Sequence, residues 1–281
     1  MGKLFKGICM AAALTVGPAA SHAALVSVGG VTWDPDYGLD LTAGTTLSES
    51  VTNIAGDTIS GYGEISALNN FSQSEFCPGD CELTFVFGGY TLIDLYDDNG
   101  DGTGYGDGTL GIDPANGLFA FSGGWLEVYV DRNGGEDFDL LDPASATNGD
   151  LWLRLEAVVD PTSTFAALGA TLEGGLDSII DINGTGNGYL NVVEGVGLAW
   201  ENFNTDNANF RCDLSGGTFC PDLFFESTFD YDPRLAAATN GEFTHVGSAD
   251  MSGFTIPEPS TIALFGLSLV SLGLVRRRMK A

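Results

Sequence analysis

Lysine is missing from nearly the whole chain: none occurs between Lys6 and Lys280. Of the 38 acidic residues every one except Glu258 lies within residues 24–255, where the only basic side chains are Arg132, Arg154, Arg211 and Arg234. A field of that sign repels phosphate backbones and anionic headgroups, which excludes nucleic acid as a partner. It favours divalent cations, basic partners or plain solubility. Acidity by itself can signal disorder. Here phenylalanine, leucine, valine and tryptophan are plentiful and mean hydropathy is slightly positive, so a packed core is expected.

Histidine is almost as scarce, with His22 and His245 alone. A Ser-His-Asp relay would have to use His245. That residue sits in "EFTHVGSADMSGF", alternating like an ordinary strand residue, and no G-x-S-x-G elbow occurs. Carboxylates are so numerous that their spacing singles out no glycosidase pair. The expectation is a protein that is not an enzyme.

Long apolar runs are lacking except at the two ends. At the start, Lys3 and Lys6 precede an apolar stretch from Ile8 to Val16, and Ser21-His22-Ala23 places small residues where a signal peptidase reads. Residues 1–23 read as a secretory signal cut after Ala23. At the other end Thr261–Val275 runs for 15 residues without a charge. As a helix it is about 22 Å long, against a hydrocarbon core of ~30 Å, so it is a marginal span. Arg276, Arg277, Arg278 and Lys280 follow, and such clusters stay on the cytoplasmic side. Gly266, Ser268, Ser271 and Gly273 suit close packing against another membrane helix.

Pro257-Glu258-Pro259, then an apolar helix, then an Arg-rich end resembles the PEP-CTERM sorting signal of Gram-negative bacteria. The resemblance covers about 25 residues. It implies recognition by a membrane enzyme, exosortase, after transient insertion through the tail helix. It also implies removal of the tail near the tripeptide, and delivery to the outer cell surface or extracellular matrix in organisms that make exopolysaccharide. A plain single-span anchor is the alternative. "ELTFVFGGY", "FSGGWLEVYVD", "GDLWLRLEA" and "GYLNVVEGVGLAWENFNT" also resemble segments of exported PEP-CTERM proteins without assigned activity, from which no catalytic residue carries over.

The chain thus divides into a signal peptide (1–23), a body (24–255) and a sorting signal (256–281). In the body, Asn-Gly steps punctuate short alternating apolar runs. Strands are expected at Leu83–Tyr96, Leu118–Val130, Leu151–Val159, Phe165–Leu172, Tyr189–Val193, Leu223–Phe229 and Phe243–Phe254, with Ala43–Ala55 either strand or loop. This spacing predicts an all-β fold, a single jelly-roll-like β-sandwich between a cleaved N-terminal signal helix and a short C-terminal hydrophobic helix. "FVFGGYTLIDLYDDNGD" and "FAFSGGWLEVYVDRNGG" echo each other, and Gly-Gly inside each predicts a bulge or bend.

Cys9 leaves with the signal, which leaves Cys77, Cys81, Cys212 and Cys220 in an oxidising compartment. Local bridges within "CPGDC" and "CDLSGGTFC" are the default, with cross-pairing open and zinc as the alternative. In "DDNGDGTGYGDG", Asp97, Asn99 and Asp101 follow the first half of a calcium loop, and Asp107 can add a ligand. The twelfth position is Gly108 rather than Glu, so a solvated hairpin loop is the competing reading. Asp131, Glu136, Asp137 and Asp139 in "DRNGGEDFD" share that calcium if the two bent strands run the same way. Alternation in "GGWLEVYVD" and "LWLRLEA" puts Trp125, Tyr129 and Trp152 beside Glu127, Arg154 and Glu156, opposite the leucines and valines. Flat rings beside carboxylates suit sugar binding. The competing reading covers them with a loop or neighbouring strand, or stacks Arg154 on Trp152.

Three functions follow. One is a non-enzymatic surface or matrix protein with a role in biofilm and exopolysaccharide association. The others are a secreted carboxylate-dependent polysaccharide-active enzyme and a purely structural acidic coat protein.

Overall fold

The computed structural model describes residues 25–79, 81–95, 111–113, 116–132, 137–178, 183–205 and 219–256. Among these residues the chain forms strands β1 (Val26–Val28), β2 (Val31–Trp33), β3 (Leu39–Glu49), β4 (Thr58–Glu64), β5 (Ala67–Leu68) and β6 (Phe71–Ser72), then a one-turn helix α1 (Gln73–Phe76). Strands β7 (Glu82–Leu92), β8 (Leu118–Asp131), β9 (Asp150–Val158), β10 (Ala170–Ser178) and β11 (Asn183–Val192) follow. Helix α2 (Trp200–Phe203), β12 (Leu223–Tyr231), helix α3 (Pro233–Ala238) and β13 (His245–Gly253) complete the order.

The expected sandwich is not formed. The strands build a closed antiparallel barrel in the order β3, β4, β7, β8, β9/β10, β11, β12, β13, and β13 pairs back onto β3 with His245 opposite Glu49 and Gly253 opposite Leu39. That last pairing overturns the sandwich, because two sheets packed face to face would leave four free edges where this ring leaves none. Alternation in sequence reads alike for both architectures, since each has one buried and one wet face per strand. The fifth stave in this order is split. β10 pairs the first half of β8 (Leu118–Ser122) and β9 the second (Trp125–Val130), and β11 repeats the division. Residues 159–169 leave the wall between β9 and β10, with a short 3-10 turn at Ala166–Leu168 and Gly169 in the left-handed region. The strand expected over Phe165–Leu172 therefore begins only at Ala170.

Leu83, Phe85 and Phe87 point inward from β7, and Leu126, Val128 and Val130 from β8. The Gly-Gly steps are bends, as the echo predicts. Tyr90 lies opposite Gly123 and Gly88 opposite Trp125, which leaves Gly89 and Gly124 as extra residues on facing strands. Each extra residue switches the inward parity, so Tyr90 and Leu92 are buried on one strand and Phe119 and Phe121 on the other. The interior is filled by these side chains with Leu153, Leu155, Leu172, Leu190, Phe225 and Met251. The outer wall instead carries Asp40, Glu127, Arg154, Glu156, Glu226 and Asp250. A wall of this kind faces water, since lipid-facing strands place apolar groups at those positions.

One end of the barrel is packed shut. Trp33, Trp152 and Phe203 meet with ring centroids 5.1–5.8 Å apart, and Trp152 donates its indole N–H to the Val28 carbonyl at 3.0 Å. The adjoining segment 193–205 is tied down by buried Asp222, which accepts from the Val192 and Thr205 backbone N–H groups at 2.8 and 2.6 Å. Outside the wall a second cluster forms from Tyr62, Ala146, Leu235 and Phe243, with Phe138 packed on it. Tyr62 donates its hydroxyl to Leu140 O (2.7 Å) and Thr84 to Ala146 O (2.9 Å), so residues 137–148 strap across β4 and β7.

Gly124 has φ +103°, and a Cβ there would lie 2.2–2.5 Å from the Tyr90 ring. Gly124→Ala is expected to cost about 2–4 kcal/mol and lower the melting temperature by roughly 5–10 °C. Gly175→Ala, where nothing lies within 4 Å, should leave it nearly unchanged. Thermal unfolding followed by circular dichroism checks both.

Candidate functional site

Three groups of side chains stand out on the barrel. The first begins with the register of β7 and β8, which sets Glu82 opposite Asp131. The strap then brings in Asp137, because Phe138 is drawn onto the Tyr62 cluster. Glu82 is 0 % exposed; its Oε2 accepts from the backbone N–H groups of Asp137 and Phe138, both at 3.2 Å. Its Oε1 is buried without a hydrogen-bond partner. Asp131 is 8 % exposed, while Asp137 is exposed and accepts from Asn148 Nδ2 at 2.9 Å. One carboxylate oxygen from each acid lies within 4.8 Å of the other two. Burial pushes the Glu82 carboxyl up to about 7; the Asp137 hydrogen bond and charge and the Glu64 charge add to this, and the Phe138 N–H opposes it.

The second group lies on the outer face. Arg154 holds its guanidinium carbon 4.5 Å above the centre of the Trp125 ring and bonds Glu127 Oε1 at 2.5 Å. Tyr129 donates to Glu127 Oε2 at 2.7 Å, and burial together with that carboxylate pushes the phenol up to about 12. On a separate stretch of wall, where β3, β12 and β13 pair, Asp40, Phe224, Glu226, Asp250 and Phe254 line an open groove of about 450 Å³. The Asp250 carboxyl is held above its ordinary range by partial burial, by the charge and hydrogen bond of Asp40, and by the Glu226 charge.

The third group is at the end of the barrel opposite the tryptophans. Glu49, at the end of β3, points into a cavity of about 30 Å³ lined by Phe87, Phe119, Phe121, Phe225 and Phe229. That volume holds one or two waters, so aromatic packing leaves no ligand chamber. Glu49 Oε1 is buried without a hydrogen-bond partner, and burial pushes the carboxyl up to about 8. His245, opposite it in the register, is 3 % exposed; its Nδ1 meets the Thr244 hydroxyl at 2.7 Å and its ring lies against Phe229 and Tyr231. It is a strand residue of the wall, as its sequence context suggests.

The sequence expectations divide accordingly. Trp125 and Tyr129 share the outer face with Glu127 and Arg154. Trp152 does not: a bulge in the β8–β9 register sends it into the core, 0 % exposed, and Arg154 stacks on Trp125 instead. The two bent strands are antiparallel neighbours, so the chain leaves β7 and β8 at opposite ends of the barrel, and the parallel run on which a shared calcium depended is not present. Asp97, Asn99, Asp101 and Asp107 lie outside the described residues, as do Glu136, Ala23, Cys212, Pro257, Glu258, Pro259, Arg276, Arg277 and Arg278. Cys77 and Cys81 are bonded to each other, and Cys220 is also disulfide-bonded. The groove and the burial of Glu49 and Glu82 had no signal in the sequence beyond acids at alternating positions. Among the described residues no helix is long and apolar enough to cross a membrane.

A barrel with a filled interior, a charged wall and a Cys77–Cys81 disulfide is the class of protein that the structure defines. Comparison with known families adds its destination: residues 255–278 match the PEP-CTERM protein-sorting motif. The chain carries this sorting motif, and the motif implies an exported protein that an exosortase processes from a membrane-anchored precursor. The match covers the tail alone. No curated protein and no solved structure gives a significant match to the chain.

Ionisation of Glu49 has a definite sign. Its folded value of about 8 lies above the ordinary 4.5, so its contribution to stability is complete below about pH 4.5 and is lost as pH rises through 8. Glu49→Gln should therefore exceed the wild type in stability by about 2–4 kcal/mol at pH 9, with the difference shrinking as pH falls toward 5. Urea unfolding across that range measures it. Trp152→Ala should cost about 3–5 kcal/mol through the cavity that it opens, which the same titration reads.

Proposed function

We propose that this protein is a non-enzymatic component of the outer cell surface or extracellular matrix that associates with exopolysaccharide in a biofilm. The observation that carries the proposal is the sorting motif at residues 255–278, which commits the barrel to export. The wall supports the carbohydrate reading. Phe224 and Phe254 offer ring faces beside Asp40, Glu226 and Asp250 in one open groove, and carboxylates beside rings suit a polymer of hydroxyl groups. Trp125 and Tyr129 form a second, smaller surface with Glu127 and Arg154.

Two outcomes test this. Mass spectrometry of the protein recovered from the cell exterior should find a chain without Arg276, Arg277 and Arg278; a surface protein that still carries them is permanently anchored. Co-sedimentation with the producing organism's own polysaccharide should be seen for the wild type and weaken about tenfold or more in Trp125→Ala/Phe254→Ala, the value of one or two ring contacts. Release of reducing ends from the polymer, or unaltered binding by the double variant, overturns the proposal.

A further inference from the structure

We infer that Glu82, Asp131 and Asp137 form a binding site for a hard divalent cation of the calcium class where β7 begins and β8 ends. This inference is independent of the carbohydrate reading. Three carboxylates converge with one oxygen from each within 4.8 Å of the others. An acidic cluster on a solvated surface would mean little, but this one is built from the inside. Glu82 is wholly buried, and its two oxygens have different surroundings: Oε2 is held by the Asp137 and Phe138 N–H groups, whereas Oε1 is buried without a hydrogen-bond partner. A buried carboxylate oxygen left bare is costly, and a cation bound between the three acids offsets that cost.

The surroundings favour an ion over a protein partner for this carboxylate. Arg132 follows Asp131 directly but turns its guanidinium to Asp150 at 2.7 Å, on the exposed side. Asn148 fixes Asp137 through Oδ1, and the exposure of Asp137 gives an ion a route from solvent. An all-oxygen set selects calcium, magnesium or manganese over zinc or copper. Calcium tolerates irregular six- to eight-fold coordination that waters can complete, whereas magnesium demands a regular octahedron and gives up water reluctantly. An ion here would tie the strap of residues 137–148 to the barrel wall, because Glu82 and Asp131 belong to the wall and Asp137 to the strap.

The experiment uses the purified full chain with calcium chloride, magnesium chloride or EGTA, read by differential scanning calorimetry. Calcium at 10 mM is expected to raise the melting temperature by about 2–6 °C, reversibly with EGTA, with a smaller rise for magnesium. Asp137→Asn, at an exposed position, should fold normally and lose the calcium response. Glu82→Gln should melt higher than the wild type without metal, because a buried charge is removed, yet also lose the response. Those two effects of opposite sign separate metal binding from a merely structural role. Asp101→Asn should keep the response. The inference is overturned if calcium leaves the wild type unchanged, if Asp137→Asn responds like the wild type, or if Asp101→Asn alone abolishes the shift.

Discussion

The pairing of Leu39–Glu49 with His245–Gly253 is the constraint on which the rest of the barrel depends. It joins the first stave to the last across some two hundred residues of chain. Once it is made, every stave of the ring has a neighbour on both sides and the ring itself offers no free backbone edge. A closed ring also fixes an interior volume, and this sequence fills it with phenylalanine and leucine to leave only about 30 Å³ open. The paired Gly-Gly bends on β7 and β8 serve the same end. They switch the inward parity of both strands at one level, so both halves of each long strand feed the core.

Closure also explains where buried charge collects. Along the wall, acidic residues alternate outward and remain wet. Near the two ends, strands overrun into loops and straps, and an inward or covered acid loses its water. Glu49 meets that fate at one end and Glu82 at the other, and both are raised by burial toward neutrality at physiological pH. The two sites differ in what surrounds the buried carboxyl. Around Glu49 the lining is mostly apolar, so neutralisation by a proton is the available remedy. Around Glu82 two further carboxylates converge, which makes a cation the better partner. The arginines in the described wall are already engaged: Arg132 on Asp150, Arg154 on Glu127 and Trp125, and Arg234 on Asp232.

Export and architecture are separable in this protein. The sorting motif occupies residues 255–278, directly after the last strand ends at Gly253, and the barrel closes without it. The tail therefore says where the molecule is sent, while the wall decides what it meets there. Among the described residues the interior cavity is only about 30 Å³, so the proposed carbohydrate contacts are placed on the outer groove and the Arg154–Trp125 surface.

The sequence by itself determined the features that local pattern or composition carries. These are the sorting motif, the all-β class and the bends at Gly88-Gly89 and Gly123-Gly124, while the Cys77–Cys81 bridge was the default among open pairings that the structure decided. Strands β7, β8, β9, β12 and β13 were legible because alternation of apolar side chains is a local signal. Other features needed the tertiary structure. Whether strands make a sandwich or a barrel depends on which strand meets which, and alternation reads the same in either. The fate of Trp152 turned on a one-residue bulge against β8, which moves a side chain from surface to core without altering the pattern of letters. Asp137 reaches Glu82 only because Tyr62 and Phe138, 76 positions apart, pack the strap onto the wall. A charge cluster of that kind is set by long-range packing, and no spacing along the chain encodes it.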